Sequence, residues 1–436
     1  MRSFADLKSR LQRSASVGLA VSIFFALKLV LGIGILIVAG RLLSVTDFAI
    51  FSQFLVLLAL LVTLATAGTQ HGIIREISAG HNSRDATHSI IRASLTIWGA
   101  VSIFLVFICV LSAPTISILL VGSRQGSSII PWLGIAAVGT GFGLLLCAIL
   151  TGQGRPVASL TAQGVGLLVA SCLTVFFLLD RNAAAAALSF AFGPLLMTIL
   201  AAGFLGRTIF DSLRFGTNLA KWVRSLFGFS LAFLATAAIM PSTLIALRSV
   251  YLETFGLELL GFWLAANRIS DVNTQLLGLY LTQEFLPKAS ASNRKTRRQL
   301  LIKTFTIGSV AMLLALCTFA AAPNFWVETI LSAKFLPATA FIVGYFAGDV
   351  LRVSAALFAY TALARKRLLH YISIEAAAAL LMTILVLGLT SAKIALAPAL
   401  AYPITYGAMS LTIILWWWFA DPRGGRAHRR ARGSGS

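Results

Sequence analysis

The chain has 436 residues, 58% of them hydrophobic and only 11% charged, with a mean hydropathy of +0.91. A soluble domain is excluded, because its surface would have no polar cover. The net charge of +21 would suggest nucleic acid in a soluble protein; in a membrane protein it reads as basic cytoplasmic loops, and no nucleic-acid partner is expected.

The N-terminus is basic and polar up to about Ser16. The apolar run 17–40 that follows is too long for the core of a secretion signal and ends without an A-x-A-type cleavage site. It predicts a first spanning helix of the mature protein. Apolar runs bounded by charge, Gly or Pro continue the pattern. They predict twelve spans at 17–40, 47–67, 90–112, 129–151, 157–179, 183–206, 223–247, 257–286, 300–321, 337–362, 369–390 and 394–419. The expected class is an all-α polytopic membrane protein, with twelve transmembrane helices in two six-helix lobes around a central cavity. The N-terminal lobe is 1–206, a basic cytoplasmic linker is 207–222, the C-terminal lobe is 223–419, and 420–436 is a basic tail, disordered by composition.

The positive-inside rule tests this alternation. With the N-terminus in the cytoplasm, the cytoplasmic segments collect 26 of the 35 Lys/Arg and the opposite segments 6, leaving Lys28, Arg268 and Arg352 inside spans. A miscount by one helix would scramble that asymmetry, so both termini are expected in the cytoplasm. The basic stretches 207–224 and 288–303 are topology determinants that can also meet anionic membrane lipid. The four cysteines fall inside apolar runs and read as packing residues, and the five histidines show no metal-ligand spacing.

The polar content of the spans carries the functional signal. In 261–284, GFWLAANRISDVNTQLLGLYLTQE, the residues Asn267, Arg268, Asp271, Asn273 and Gln275 sit mid-span. A charge at bilayer depth costs about 2.5–3.5 kcal/mol on insertion scales, so it faces a bundle interior or a watery cavity. Lys28 lies mid-span with no acidic residue in its own helix, and Gly32 follows on the same face. Arg268 and Asp271 are three residues apart, as are Asp349 and Arg352 in GDVLRV, so each couple shares a helix face. Each is either a self-satisfying ion pair or part of a ligand site. Glu375 in YISIEAAAA is a further buried carboxylate that could meet Arg352 or Lys28. The candidate substrate contacts are therefore Lys28, Arg268 and Arg352, with Asn267 and Gln53 as hydrogen-bonding residues. Cationic side chains in a cavity attract phosphate, and Arg grips it bidentately. Asp271, Asp349 and Glu375 would orient those cations or titrate in proton or sodium coupling.

Several motifs are similar to those of a known family. The stretch 41–75, RLLSVTDFAIFSQFLVLLALLVTLATAGTQHGIIR, resembles the opening of polysaccharide-export proteins. GFWLAANRISD, FLPKAS, SAKF, GDVLRV and YISIE follow in the order and spacing of Wzx-type flippases serving O-antigen or enterobacterial common antigen. The likeness covers 41–75 and 260–410, with the middle matching in hydropathy only. These proteins belong to the multidrug/oligosaccharidyl-lipid/polysaccharide exporter superfamily, with two six-helix lobes forming a V-shaped cavity. The resemblance implies transfer of an undecaprenyl-pyrophosphate-linked oligosaccharide to the periplasmic leaflet by alternating access. It also implies association with a polysaccharide polymerase and a chain-length regulator, and carries over onto Asp271, Lys334, Asp349, Arg352 and Glu375. No ATP motif is present, so an ion gradient or mass action is the expected drive, and no cofactor is expected.

A drug/cation antiporter of the same fold would want an acidic cavity, which three basic and three acidic residues do not make. An O-antigen polymerase or ligase would want a large periplasmic loop rich in Arg and His; the largest on that side, 113–128, has one Arg and no His.

Overall fold

The computed structural model describes residues 4–78, 84–215, 219–291, 294–365 and 368–420. The basic pair at 366–367 and the tail from 421 onward lie outside the described residues. All regular structure among the described residues is helical. The chain divides into two compact units, Met1–Gly261 with Ile330–Ser332, and Phe262–Thr329 with Ala333–Ser436.

In the first unit, α1 spans Phe4–Leu42. It starts well before the predicted span because no Gly or Pro interrupts the chain until Gly18. Ser44 caps α2 (Val45–Ala65), its hydroxyl accepting from the Asp47 amide at 3.0 Å. Next come α3 (Thr69–Ser78) and α4 (Arg84–Leu111), then α5 (Ala113–Val121), α6 (Ile130–Gly152) and α7 (Pro156–Leu179). The predicted span at 183–206 is two helices, α8 (Ala183–Phe192) and α9 (Leu195–Leu205). They break at Gly193-Pro194, where proline has no N–H to continue the ladder.

Part of the expected linker is a helix, α10 (Thr208–Phe215), held on α4 by His88 Nδ1 and Ser212 Oγ at 2.8 Å. The next two predicted spans follow as the two limbs of α11 (Leu219–Tyr280), two helices that meet at a kink at Gly256, where φ 82° and ψ 174° are not helical. That left-handed conformation is one only glycine adopts freely. Arg248, assigned by the charge count to a loop between spans, is instead 2% exposed inside α11. The unit's core gathers Ile73, Ile90, Leu146, Met197 and Trp222 from α3, α4, α6, α9 and α11.

The second unit begins inside α11 and continues through a π-turn, Leu281–Phe285, into α12 (Leu286–Ala291) and α13 (Arg294–Ala321). After α14 (Pro323–Ile330) and a 3-10 turn (Ala333–Ala338) come α15 (Thr339–Ala364), α16 (Leu368–Ser391) and α17 (Ala397–Ala420). Its core joins Leu277, Leu281, Phe285, Met312, Val353 and Leu357.

Nine helices among the described residues are long and apolar enough to cross a membrane. Their outward faces bear Ile103, Phe104 and Phe107 on α4, Leu313 and Leu314 on α13, and Leu380 and Ile384 on α16. Such apolar surface is stable against hydrocarbon, where the helix satisfies its own backbone. Cys109 and Cys147 are buried as expected, but Cys172 and Cys317 lie exposed on helix surfaces.

Candidate functional site

The second unit holds a polar network between α11, α15 and α17. Two glycines one turn apart on α15 bring α17 close. A Cβ at Gly344 would overlap the Ala399 carbonyl, and one at Gly348 would overlap the Tyr402 ring. Ala399 is the acceptor that Pro403, lacking an N–H, leaves unbonded within α17. Small residues four apart are the usual means by which membrane helices approach closely. Ser410 Oγ locks the same pair of helices by donating to the Leu351 carbonyl at 2.7 Å.

Asp349, 1% exposed, is the hub. Ser270 Oγ donates to its two carboxylate oxygens at 2.8 and 2.9 Å, Tyr402 OH donates at 3.0 Å, and Asn273 Nδ2 donates at 3.3 Å. Arg352, one turn on, donates from Nη1 to Tyr402 OH at 3.1 Å, and its guanidinium lies 5.2 Å over the Tyr406 ring. The phenol of Tyr402 therefore joins carboxylate to guanidinium, and Asp349 and Arg352 share a helix without a direct ion pair. Tyr345 stacks on Tyr402 with ring centroids 4.5 Å apart, and its hydroxyl accepts from Trp263 Nε1 at 2.6 Å. A charged group buried without partners would cost several kcal/mol; here donors surround it.

Beside this network lies a cavity of about 260 Å³. Arg352, Glu375, Tyr406 and Tyr371 line it from α15, α16 and α17, and Thr274 and Gln275 from α11. Asn267 and Asp271 precede Thr274, Gln275 and Gly278 at helical spacing, so one polar stripe of α11 leads into the cavity. Arg268 Nη1 and Asp271 Oδ2 are 3.9 Å apart, with side chains 29% and 40% exposed, and Asn267 Nδ2 donates to Asp271 Oδ1 at 3.2 Å. Lys334 is exposed on the 3-10 turn, its ammonium 5.9 Å from the Phe335 ring centroid.

In the first unit, Lys28 is exposed and makes no ion pair with any described residue. The apolar stripe of α1, with Leu19, Ile23 and Val30 exposed, stands about 140–180° round the helix from it at about 100° per residue. The lysine thus points away from the lipid-type face. Gly32 beside it also has open space. Gln53 corrects an expectation: it is fully buried and donates from Nε2 to the Leu120 carbonyl at 3.2 Å. It ties α2 to α5 and offers no surface to a ligand.

Sequence reasoning singled out Asp349, Arg352 and Glu375 but missed Tyr402, Tyr406, Tyr371 and Ser270. The pattern AYPITYG, two tyrosines four apart around a proline, together with Gly344 and Gly348 at the same spacing, was the available signal.

Residues 18–291 match the family described as polysaccharide biosynthesis protein. The chain is 25% identical over 398 residues to the lipid III flippase of Escherichia coli K12, covering 88% of this chain and 94% of that one; the Shigella flexneri lipid III flippase matches equally. Among solved structures, an inward-facing multidrug resistance transporter of the MATE family, MOP superfamily, superposes with a TM-score of 0.71 at 14% identity, over 94% of this chain and 96% of that one. The lipid II flippase MurJ in an inward closed conformation also gives 0.71, at 13% identity over 91% and 86%. The shared feature at that distance is the fold.

Proposed function

This chain belongs to the polysaccharide biosynthesis protein family, and from that membership we propose that it is a flippase for undecaprenyl-pyrophosphate-linked oligosaccharide repeat units of the O-antigen or common-antigen type. It carries them from the cytoplasmic to the periplasmic leaflet of the inner membrane by alternating access, through twelve spans with both termini in the cytoplasm. The lipid III and lipid II flippase names of its relatives support a lipid-linked glycan as cargo.

The observation that carries the reading is Lys28. A cation in the middle of a spanning helix, exposed on the side away from the apolar stripe, has a use if a phosphate passes it. Arg268 and Asn267, on the polar stripe of α11, would add a second cationic contact, with Asp271 holding the guanidinium in place. Asp349 keeps Arg352 oriented through Tyr402. Anionic lipid would bind the basic 207–224 and 288–303 stretches, and a polymerase and chain-length regulator would take the delivered units.

The test is a deletion strain and its complementation. Without the protein, lipid-linked repeat units should accumulate on the cytoplasmic leaflet; single repeats on the cell surface would instead mark a polymerase. Lys28→Ala should lower flipping at least tenfold in reconstituted vesicles while abundance and thermal stability stay unchanged, because the side chain is exposed and makes no ion pair with any described residue. Flipping at the wild-type rate in Lys28→Ala would remove the cationic contact from the mechanism.

A further inference from the structure

We infer that the 260 Å³ cavity of the second unit is a subsite for a single neutral sugar residue of the transported glycan, an inference that rests on the flippase reading. Its wall carries polar groups with unused hydrogen-bonding capacity. Tyr406 is 4% exposed, yet its hydroxyl makes no hydrogen bond with any described residue. Glu375 and Tyr371 likewise make no hydrogen bond with described residues, and Arg352 spends one N–H on Tyr402. A guanidinium has five N–H donors, so the others are free to meet a ligand. These polar atoms are not sealed off but open onto the cavity, where a polar occupant can reach them.

The chemistry of the wall selects the class of occupant. Arg352 and Glu375 face one cavity without forming an ion pair with each other. An anion bound at Arg352 would meet the Glu375 carboxylate, and a cation at Glu375 would meet the guanidinium. A sugar diol suits both, since each hydroxyl accepts from Arg352 and donates to Glu375. The half-buried ring of Tyr371 offers a flat apolar face to the C–H side of a pyranose, and the hydroxyls of Tyr371 and Tyr406 serve its edge. Size points the same way. The cavity lies below the roughly 300–1,000 Å³ of drug-sized pockets, so it admits one ring and not a repeat unit. The polar stripe from Asn267 through Asp271 to Gln275 gives the remaining glycan a path along α11.

The experiment uses the full-length protein in lipid nanodiscs and saturation-transfer NMR with methyl glycosides of neutral hexoses and N-acetylhexosamines, beside inorganic phosphate and sodium as competitors. Wild type should show saturation of the glycoside ring protons that neither phosphate nor sodium displaces. Tyr406→Phe and Glu375→Gln should each weaken the glycoside by about tenfold, the loss of one hydrogen bond to a charged or buried partner. The partly exposed Tyr371→Phe supplies a variant whose folding is not in question. Absence of saturation for every glycoside, displacement by phosphate, or equal binding in all three variants overturns the inference. Flipping in vesicles is measured separately. Protein that flips a lipid-linked glycan but binds no glycoside removes the sugar subsite and leaves the transport function standing. Protein that binds glycoside but flips nothing does the reverse.

Discussion

Asp349 shows how a charge is kept inside a membrane helix: Ser270, Asn273 and Tyr402 all donate to it, and Tyr402 relays it to Arg352. Removing the acceptor strands the donors of buried Ser270 and Tyr402, each costing about 1–3 kcal/mol when unmet, and that of half-buried Asn273. Asp349→Ala should therefore cut the yield of folded protein and lower its unfolding temperature by several degrees in detergent. Tyr402→Phe removes two hydrogen bonds of about 0.5–1.5 kcal/mol each but leaves Ser270 and Asn273 with their acceptor, so its loss should be smaller. If Tyr402→Phe proves the more damaging of the two, Asp349 is not the centre of the network. The charged members were legible in the sequence because Asp or Arg inside an apolar run stands out. Tyr402 was not, since an aromatic residue in a span reads as ordinary packing and its partner Arg352 is 50 residues away along the chain.

At the scale of elements, the α15–α17 contact decides whether that network exists. Gly348→Ala would push a methyl group into the Tyr402 ring, and overpacking of this kind costs about 1–3 kcal/mol. Thermal unfolding should report that loss, and Tyr402 displaced from Asp349 should also reduce flipping. Gly388→Ala on α16, where an added Cβ meets nothing within 4 Å, is the matched control and should be neutral or stabilising by up to about 1 kcal/mol, the helix-propensity gain. Equal effects from the two would mean that close approach at Gly348 is dispensable. Long apolar runs made most helices legible, because twenty consecutive apolar residues have few alternatives in a membrane protein. The short helices α3, α10 and α14 were missed, as eight to ten residues in polar loops give too few turns for periodicity to register. The break between α8 and α9 was signalled by the Gly-Pro pair, and the kink that divides α11 at Gly256 falls where the predicted spans 223–247 and 257–286 part.

At the scale of the whole molecule, the charge asymmetry makes a claim about orientation. Lys and Arg resist translocation, and the proposed cytoplasmic segments carry 26 of them against 6 on the other side. The largest block, 288–303, lies at the start of α13, whereas the 113–128 connection and the end of α16 at Ser391 fall on the sparse side. Single cysteines read this directly. In a background with the exposed Cys172 and Cys317 replaced by Ser and the buried Cys109 and Cys147 kept, Thr296→Cys should react with a membrane-impermeant maleimide only in inside-out vesicles. Ser128→Cys and Ser391→Cys, both exposed in the fold, should react in intact spheroplasts. Those two sites are separated by an even number of predicted spans, eight, so they must label from the same side if the alternation holds, and Thr296 must label from the other. Labelling of Ser128→Cys and Ser391→Cys from opposite sides would remove one span from the count and with it the orientation of Lys28 relative to a substrate loaded from the cytoplasmic leaflet.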